Sequence, residues 1–203
     1  MNRAKAEFFD SQVNEAWAAS DYGAEEIAKI NRMLAYADLR RGHRVIEPGC
    51  GTGRLTAILA QAVGPTGMVL GFEISREMRE AALRRMRTRE NVLLLLEPVE
   101  AYPFAPEDYD IVLCHNVFPH FDDKPAALRC LATALKKGGR FIVFHFMNSA
   151  GINDLHRKAD VSVLHDMLPA ETEMRNLFRA AGMSIDMLRD DELGYLLSAT
   201  RNR

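Results

Sequence analysis

Cysteine, net charge and long apolar runs are all scarce in this chain of 203 residues. Its three cysteines, Cys50, Cys114 and Cys130, are odd in number, widely spaced and form no Cys-x-x-Cys pair. That pattern argues against a disulfide framework and fits a reducing compartment, so a cytoplasmic location is expected. Lys and Arg total 26 against 28 Asp and Glu, which leaves no global positive field to gather phosphate backbones. No nucleic-acid partner is therefore expected. The longest wholly apolar run near the middle, Val92 to Leu96, falls far short of the ~20 residues that span a bilayer. The first residues, "MNRAKAEFFDSQ", contain no long apolar stretch, so no secretory signal is expected either.

Internal repeats and low-complexity tracts are absent too, and residues 1–203 read as one domain. The 48% apolar content is enough for a full core. Apolar positions Ile27, Ile30, Leu34, Ala35 and Ala37 recur at three- and four-residue intervals and predict an amphipathic helix. Strand and helix then alternate. "HRVIEPG" is a short strand, Thr52 to Val63 a helix and "MVLGFEIS" a strand, followed by a helix from Ser75, its N-cap, to about Arg87. "NVLLLLE" and "YDIVLCHN" are continuously apolar, as strands covered on both faces are. Asp122 or Asp123 caps a helix running to Lys137, and "RFIVFHF" is the fifth strand.

Five such alternations predict parallel strands joined by right-handed crossovers, a Rossmann-like three-layer α/β sandwich. Ligands bind such sheets outside the C-terminal strand ends. Beyond His145 the rhythm breaks into a mixed segment, a helix "ETEMRNLFRAAG" stopped by Gly182, and two strands around Gly194 short enough to pair as a hairpin.

"VIEPGCGTG" carries the chemistry. Gly49, Gly51 and Gly53 alternate directly after the first strand, with Glu47 two residues before them. Glycines there let a ligand approach the backbone where the unpaired N–H groups of a helix start point outward; the plainer reading is a tight strand-to-helix turn. A dinucleotide fingerprint is spaced G-x-G-x-x-G and meets a pyrophosphate. The spacing here is G-x-G-x-G, and the Glu47 carboxylate repels a pyrophosphate and attracts an ammonium.

These residues resemble the class I S-adenosylmethionine-dependent methyltransferases, whose signature is an acidic residue followed by G-x-G-x-G after the first strand. "GMVLGFEIS", "EAYPFAPEDYDIVLCHNVFPHF" and "LATALKKGGRFIVF" are similar to later segments of the family, so the resemblance spans roughly Glu25 to Ala199. It points to the small-molecule, ubiquinone-menaquinone-methyltransferase-like subgroup. It implies a seven-stranded, mostly parallel sheet with an antiparallel last strand, and S-adenosylmethionine as cofactor.

By the same resemblance Glu47 meets the methionine ammonium, and Gly49, Cys50, Gly51 and Gly53 form the turn around it. Glu73 accepts from both ribose hydroxyls, and Ile74 packs on adenine. Related proteins often place an Asp at the adenine amino group; here Pro98 stands at that position, and Glu97 or backbone near Val99 takes over, with Glu100 a weaker substitute. His115 and Asn116 complete the cofactor wall. A short-chain dehydrogenase needs Tyr-x-x-x-Lys, and no tyrosine here has that partner. Asn-Pro-Pro-Tyr, which holds planar base amines in related amino-methylating enzymes, is replaced by "HNVFPH".

Methyl transfer is an in-line displacement that needs a base only if the acceptor must lose a proton. His115, His120 and His145 are the candidate catalytic residues, because imidazole titrates near pH ~6.5. His156 and His165 lie in the following segment, and imidazoles converging there would bind a transition metal; their spacing forms no metal signature, which favours hydrogen-bonded or solvent-exposed histidines.

Phe8, Phe9, Val13 and Trp17 stand at helical intervals, so residues 1–24 are either ordinary packing or a lid, and residues 147–169 an acceptor-site insertion. The six arginines of "SREMREAALRRMRTRE" read as a solvated helix face, or as an RNA-docking patch. The expected function is methylation of a small-molecule acceptor. The alternatives are a noncatalytic cofactor-binding sensor or scaffold, and protein or RNA methylation.

Overall fold

Apolar runs bounded by glycine turns become the strands of one sheet. The computed structural model describes residues 2–202, the side chain of Ala101 excepted. Three helices lead in: α1 (Arg3–Ser11), α2 (Ala16–Ala19) and α3 (Ala24–Ala37). Then β1 (Arg44–Pro48), α4 (Arg54–Val63), β2 (Met68–Glu73), α5 (Arg76–Met86), β3 (Val92–Leu96) and β4 (Tyr109–His115) alternate as the pattern predicts. They are followed by α6 (Lys124–Ala134), β5 (Leu135–His145), α7 (Ser149–Arg157), α8 (Glu171–Ala180), β6 (Met183–Asp191) and β7 (Gly194–Arg201).

The strand order is β3-β2-β1-β4-β5-β7-β6, with β7 antiparallel to both its neighbours. The chain winds outward from β1 through β2 to β3, then returns to place β4 on the other side of β1. The C-terminal ends of β1 and β4 thus flank the switch point, where such sheets open a crevice.

Two faces are filled by alternate residues of the same strands. Val45, Val69, Ile111, Leu113, Ile142 and Phe144 pack under α3 and α4. Ile46, Leu70, Val112, Cys114, Phe141 and Val143 pack under α6 and α8. A period of two on strands and helices on both sides give the three layers.

The structure differs from the sequence pattern at four places. "NVLLLLE" forms β3, but β3 is the sheet edge: Leu94 is buried while Leu93 is 46% exposed, so this apolar run is not covered on both faces. Helix α6, capped by Asp123 rather than Asp122, stops at Ala134 instead of Lys137. Leu135 already pairs with Tyr109, and the ladder skips before Ile111 joins Arg140, so the "KKGG" stretch is an irregularity inside β5. The N-terminal stripe is not one helix, because α1 and α2 are separated by Gln12 to Glu15. The mixed segment after β5 contains α7, capped by the Asn148 side chain.

Candidate active site

Each signature glycine has positive φ: 64° at Gly49, 55° at Gly51 and 79° at Gly53, a region that side chains with a Cβ rarely enter. They serve different ends. A Cβ on Gly49 would run into the side chain of Val117, which follows β4, so this glycine lets the two crevice loops touch. A Cβ on Gly51 meets nothing within 4 Å and would stand in open space. Gly53 caps α4 and lies 3.1 Å, by its would-be Cβ, from Ala82 of α5. Gly53 thus lets α4 pack closely on α5, and it is not among the residues that line the cleft.

The crevice is a cleft enclosing about 1090 Å³ of empty space, its open mouth included. Glu47, Gly49, Cys50 and Gly51 line it from the first turn, and Glu73 and Ile74 from the end of β2. Glu97, Pro98, Val99 and Glu100 line it from the segment after β3, and His115, Asn116 and His120 from the segment after β4.

Two carboxylates dominate its floor. Glu47 is 2% exposed, and its Oε2 accepts one hydrogen bond, 2.7 Å from Thr56 Oγ1. Burial pushes its pKa up to about 8, against the lowering effect of Thr56, and the charge of Glu73 adds to the rise. Glu73 Oε2 accepts from Gly51 N at 2.8 Å, while Oε1 accepts from Ile74 N and Ser75 N at 2.8 and 2.9 Å. Burial still raises its pKa, with those N–H groups opposing. Among the described residues no cation acts on either carboxyl group, whose remaining lone pairs are free for a cationic, hydroxyl-bearing ligand. Cys50 is buried, and burial together with both carboxylates holds its thiol protonated, so it walls the cleft without reactivity.

His115 stacks on Phe144 at 5.1 Å and meets the edge of Phe146 at 4.6 Å, while its Nδ1–H donates to Phe144 O at 3.3 Å. Burial lowers its pKa to about 4, so it is neutral at physiological pH. His120 ends a short 3-10 turn, Phe118–His120, and its Nδ1–H donates to Asp166 Oδ2 at 2.7 Å.

His145 does not join them. It follows Phe144 on β5 and so faces the opposite side of the sheet, 3% exposed and 6.3 Å from the Tyr195 ring, with Nε2 unpartnered. Burial drives its pKa well below the ordinary value. It is a core residue rather than the catalytic one expected. His156 packs on His120 with ring centroids 4.8 Å apart, and His165 is exposed. Among the described residues no three His, Cys, Asp or Glu side chains gather as a metal ion requires.

The N-terminal segment roofs the cleft. Asn2, Phe9, Trp17, Ala18 and Tyr22 line it. Asp10 Oδ1 accepts from Ser75 Oγ at 2.6 Å and Glu77 N at 3.1 Å, adding a second cap to α5. Arg54 stacks on Tyr22 at 3.8 Å and donates to Trp17 O, and Thr52 Oγ1 donates to Ala18 O. Sequence reasoning missed Lys5, Asp10, Tyr22, Thr52, Arg54, Thr56 and Asp166. Thr52 stands inside the glycine motif and Arg54 directly after it, but their partners, Ala18 O and Trp17 O, and those of the others are set by the fold rather than by any motif.

A doubly wound sheet with one antiparallel strand and a glycine-walled switch-point cleft, floored by two buried glutamates that form no salt bridge among the described residues, define an α/β domain built to bind a small ligand at its strand ends. Residues 39–191 match the family described as "Methyltransferase domain", and the chain belongs to it. It is 30% identical over 128 residues to the ubiquinone/menaquinone biosynthesis C-methyltransferase of Pseudoalteromonas translucida, covering 62% of this chain and 51% of that protein. The chain spans about half the length of the curated relatives it matches. The solved YcgJ protein of Bacillus subtilis is 26% identical with a TM-score of 0.66, over 80% of this chain and 72% of that one. Geranyl diphosphate C-methyltransferase of Streptomyces coelicolor, solved with S-adenosylhomocysteine, shares the fold over 98% of both chains with a TM-score of 0.77 at 13% identity. No described helix is long and apolar enough to cross a membrane.

Proposed function

We propose that residues 1–203 form one methyltransferase domain that transfers a methyl group from S-adenosylmethionine to a small-molecule acceptor. The observation that carries this reading is the pair of buried carboxylates, Glu47 and Glu73, facing one glycine-walled cleft with no cation of their own. A ligand with an ammonium, a sulfonium and two ribose hydroxyls supplies what they lack. Glu47 holds the ammonium end, the turn from Gly49 to Gly51 the methionyl portion, and Glu73 the ribose. Ile74 and the segment Glu97 to Val99 hold adenine, with His115 and Asn116 closing the wall. When bound, the cofactor supplies a methyl group activated on sulfur, and the protein orients it and excludes water.

Residues 1–24 act as the lid and residues 147–169 as the acceptor-side insertion. The relatives' names, C-methyltransferases of quinone biosynthesis, support a small organic acceptor. Docking of RNA on α5 has less support, because Arg79 and Arg85 are engaged by Leu94 O and Asp21 at 3.0 and 2.8 Å. A screen of small acceptors with detection of S-adenosylhomocysteine tests the reading. Turnover of at least one acceptor is expected. Cofactor binding without turnover of any acceptor would leave a sensor instead.

A further inference from the structure

Lys5 of α1 is buried, its side chain 3% exposed, although it belongs to the segment roofing the cleft. A buried ammonium requires compensation, and it has three partners. Its Nζ lies 2.8 Å from His120 O, 2.9 Å from Asp122 Oδ1 and 3.0 Å from Asp166 Oδ1. Asn2, at the start of the same helix, donates to Asp122 Oδ1 at 3.1 Å, and Phe9, one turn beyond Lys5, meets the His120 ring edge-on at 5.2 Å. One face of α1 thus packs on His120 and its surroundings.

Asp166 sits between Lys5 and His120 and comes from the insertion after β5. As a carboxylate it only accepts, so the hydrogen in the 2.7 Å bond belongs to His120 Nδ1, and Nε2 carries the lone pair. Among the described residues Nε2 has no hydrogen-bond partner, and His120 lines the cleft.

We infer that His120 is the general base of the transferase, oriented by Asp166 and completed by Lys5 when α1 docks, and that the acceptor carries a phenol-type hydroxyl. The inference rests on the proposed methyl transfer. His120 would touch the acceptor; Asp166 and Lys5 are positioning residues. In the step, the acceptor O–H bond breaks and its proton passes to His120 Nε2. The released electron pair forms the bond from oxygen to the methyl carbon as the methyl–sulfur bond breaks, that pair remaining on sulfur. The imidazolium so formed stands against the Asp166 carboxylate and later gives its proton to water.

The titratable groups facing His120 are Asp166 on the insertion, His156 on α7, Lys5 on α1 and His145 on β5. Burial lowers its pKa and Asp166 opposes this, so it enters the cycle neutral. Asp166 is held ionised by His120 and Lys5 against its own burial. The walls favour a flat ring, since Phe9 packs on His120, Phe121 follows it in the chain, and Tyr22 lines the same cleft beside His115.

Nitrogen-15 NMR of histidine-labelled protein loaded with S-adenosylhomocysteine reads the dyad without turnover. His120 protonated at Nδ1 and bare at Nε2 at neutral pH is expected, with the opposite tautomer appearing in Asp166→Asn. The opposite tautomer in the wild type overturns the assignment. Kinetics then use two probes, catechol and 4-nitrophenol, the latter already ionised near pH 8. His120→Gln should lose about 100-fold or more on catechol, within the range for general bases, and less than about tenfold on 4-nitrophenol. Equal losses on both would reduce His120 to a structural residue. Asp166→Asn should lose catechol turnover and its pH dependence, and Lys5→Met should raise the pKa of His120. Calorimetry with S-adenosylhomocysteine separates the layers: no binding by wild type fails the proposed function itself, whereas normal binding with the wrong tautomer fails only this inference.

Discussion

Thr56 Oγ1 donates to Glu47 Oε2 at 2.7 Å, and among the described residues this is the one hydrogen bond that favours a charge on a carboxyl burial has pushed up to about 8. At neutral pH the ligand-free cleft therefore holds Glu47 largely protonated. An ammonium seated against it must drive that proton off, so cofactor binding releases up to one proton near pH 7, and affinity rises with pH toward 8. Calorimetry in buffers of different ionisation enthalpy reads the release directly. The folded pKa lies above the unfolded one, so the group favours folding most below about pH 4.5 and loses that contribution as pH rises through 8. Glu47→Gln should accordingly melt higher than wild type at pH 8, show no such gain at pH 4, and bind the cofactor more weakly without proton release.

Gly49 and Gly51 share a backbone conformation and differ in what surrounds them. Gly49→Ala combines positive-φ strain of about 1–3 kcal/mol with a collision against Val117, and should destabilise the fold markedly. Gly51→Ala bears similar strain with no collision, since nothing stands within 4 Å. It should melt closer to wild type yet lose cofactor affinity, because its methyl occupies ligand space. Thermal melts with and without S-adenosylhomocysteine distinguish the two; equal stabilisation of Gly51→Ala and wild type by the ligand would place Gly51 outside the site.

His145 should govern acid stability. Its folded pKa is depressed by burial, so its contribution is present above the unfolded value near ~6.5 and lost as pH falls. His145→Leu, which removes a buried Nε2 without a partner, should narrow the difference in melting temperature between pH 7 and pH 5. It should leave turnover near wild type. Loss of turnover with the fold intact would return His145 to the site.

The parts of the candidate site that are legible in sequence are local. Glu47, the glycines and Glu73 sit at strand ends where the alternation itself marks a ligand crevice. The packing role of Gly53 was not legible because one conformation serves both ligand approach and helix packing, and only the neighbour, Ala82, reveals the second. His145 was misplaced because being the last residue of a strand says nothing of which face it takes. Lys5, Asp10 and Asp166 were invisible because their partners lie across the sheet end, as Asp166 does from Lys5, 161 residues away in the chain. Strand β3 read as covered on both faces because apolarity records what a strand buries in total, while edge position is set by the order of the sheet.

Calorimetric titration of S-adenosylmethionine into wild-type protein and Glu73→Ala tests the central claim most directly. Wild type should bind one equivalent, and Glu73→Ala should lose roughly 1 to 3 kcal/mol of binding free energy as charge-assisted ribose contacts disappear. Unchanged affinity in a folded Glu73→Ala protein, or no binding by wild type, would contradict it.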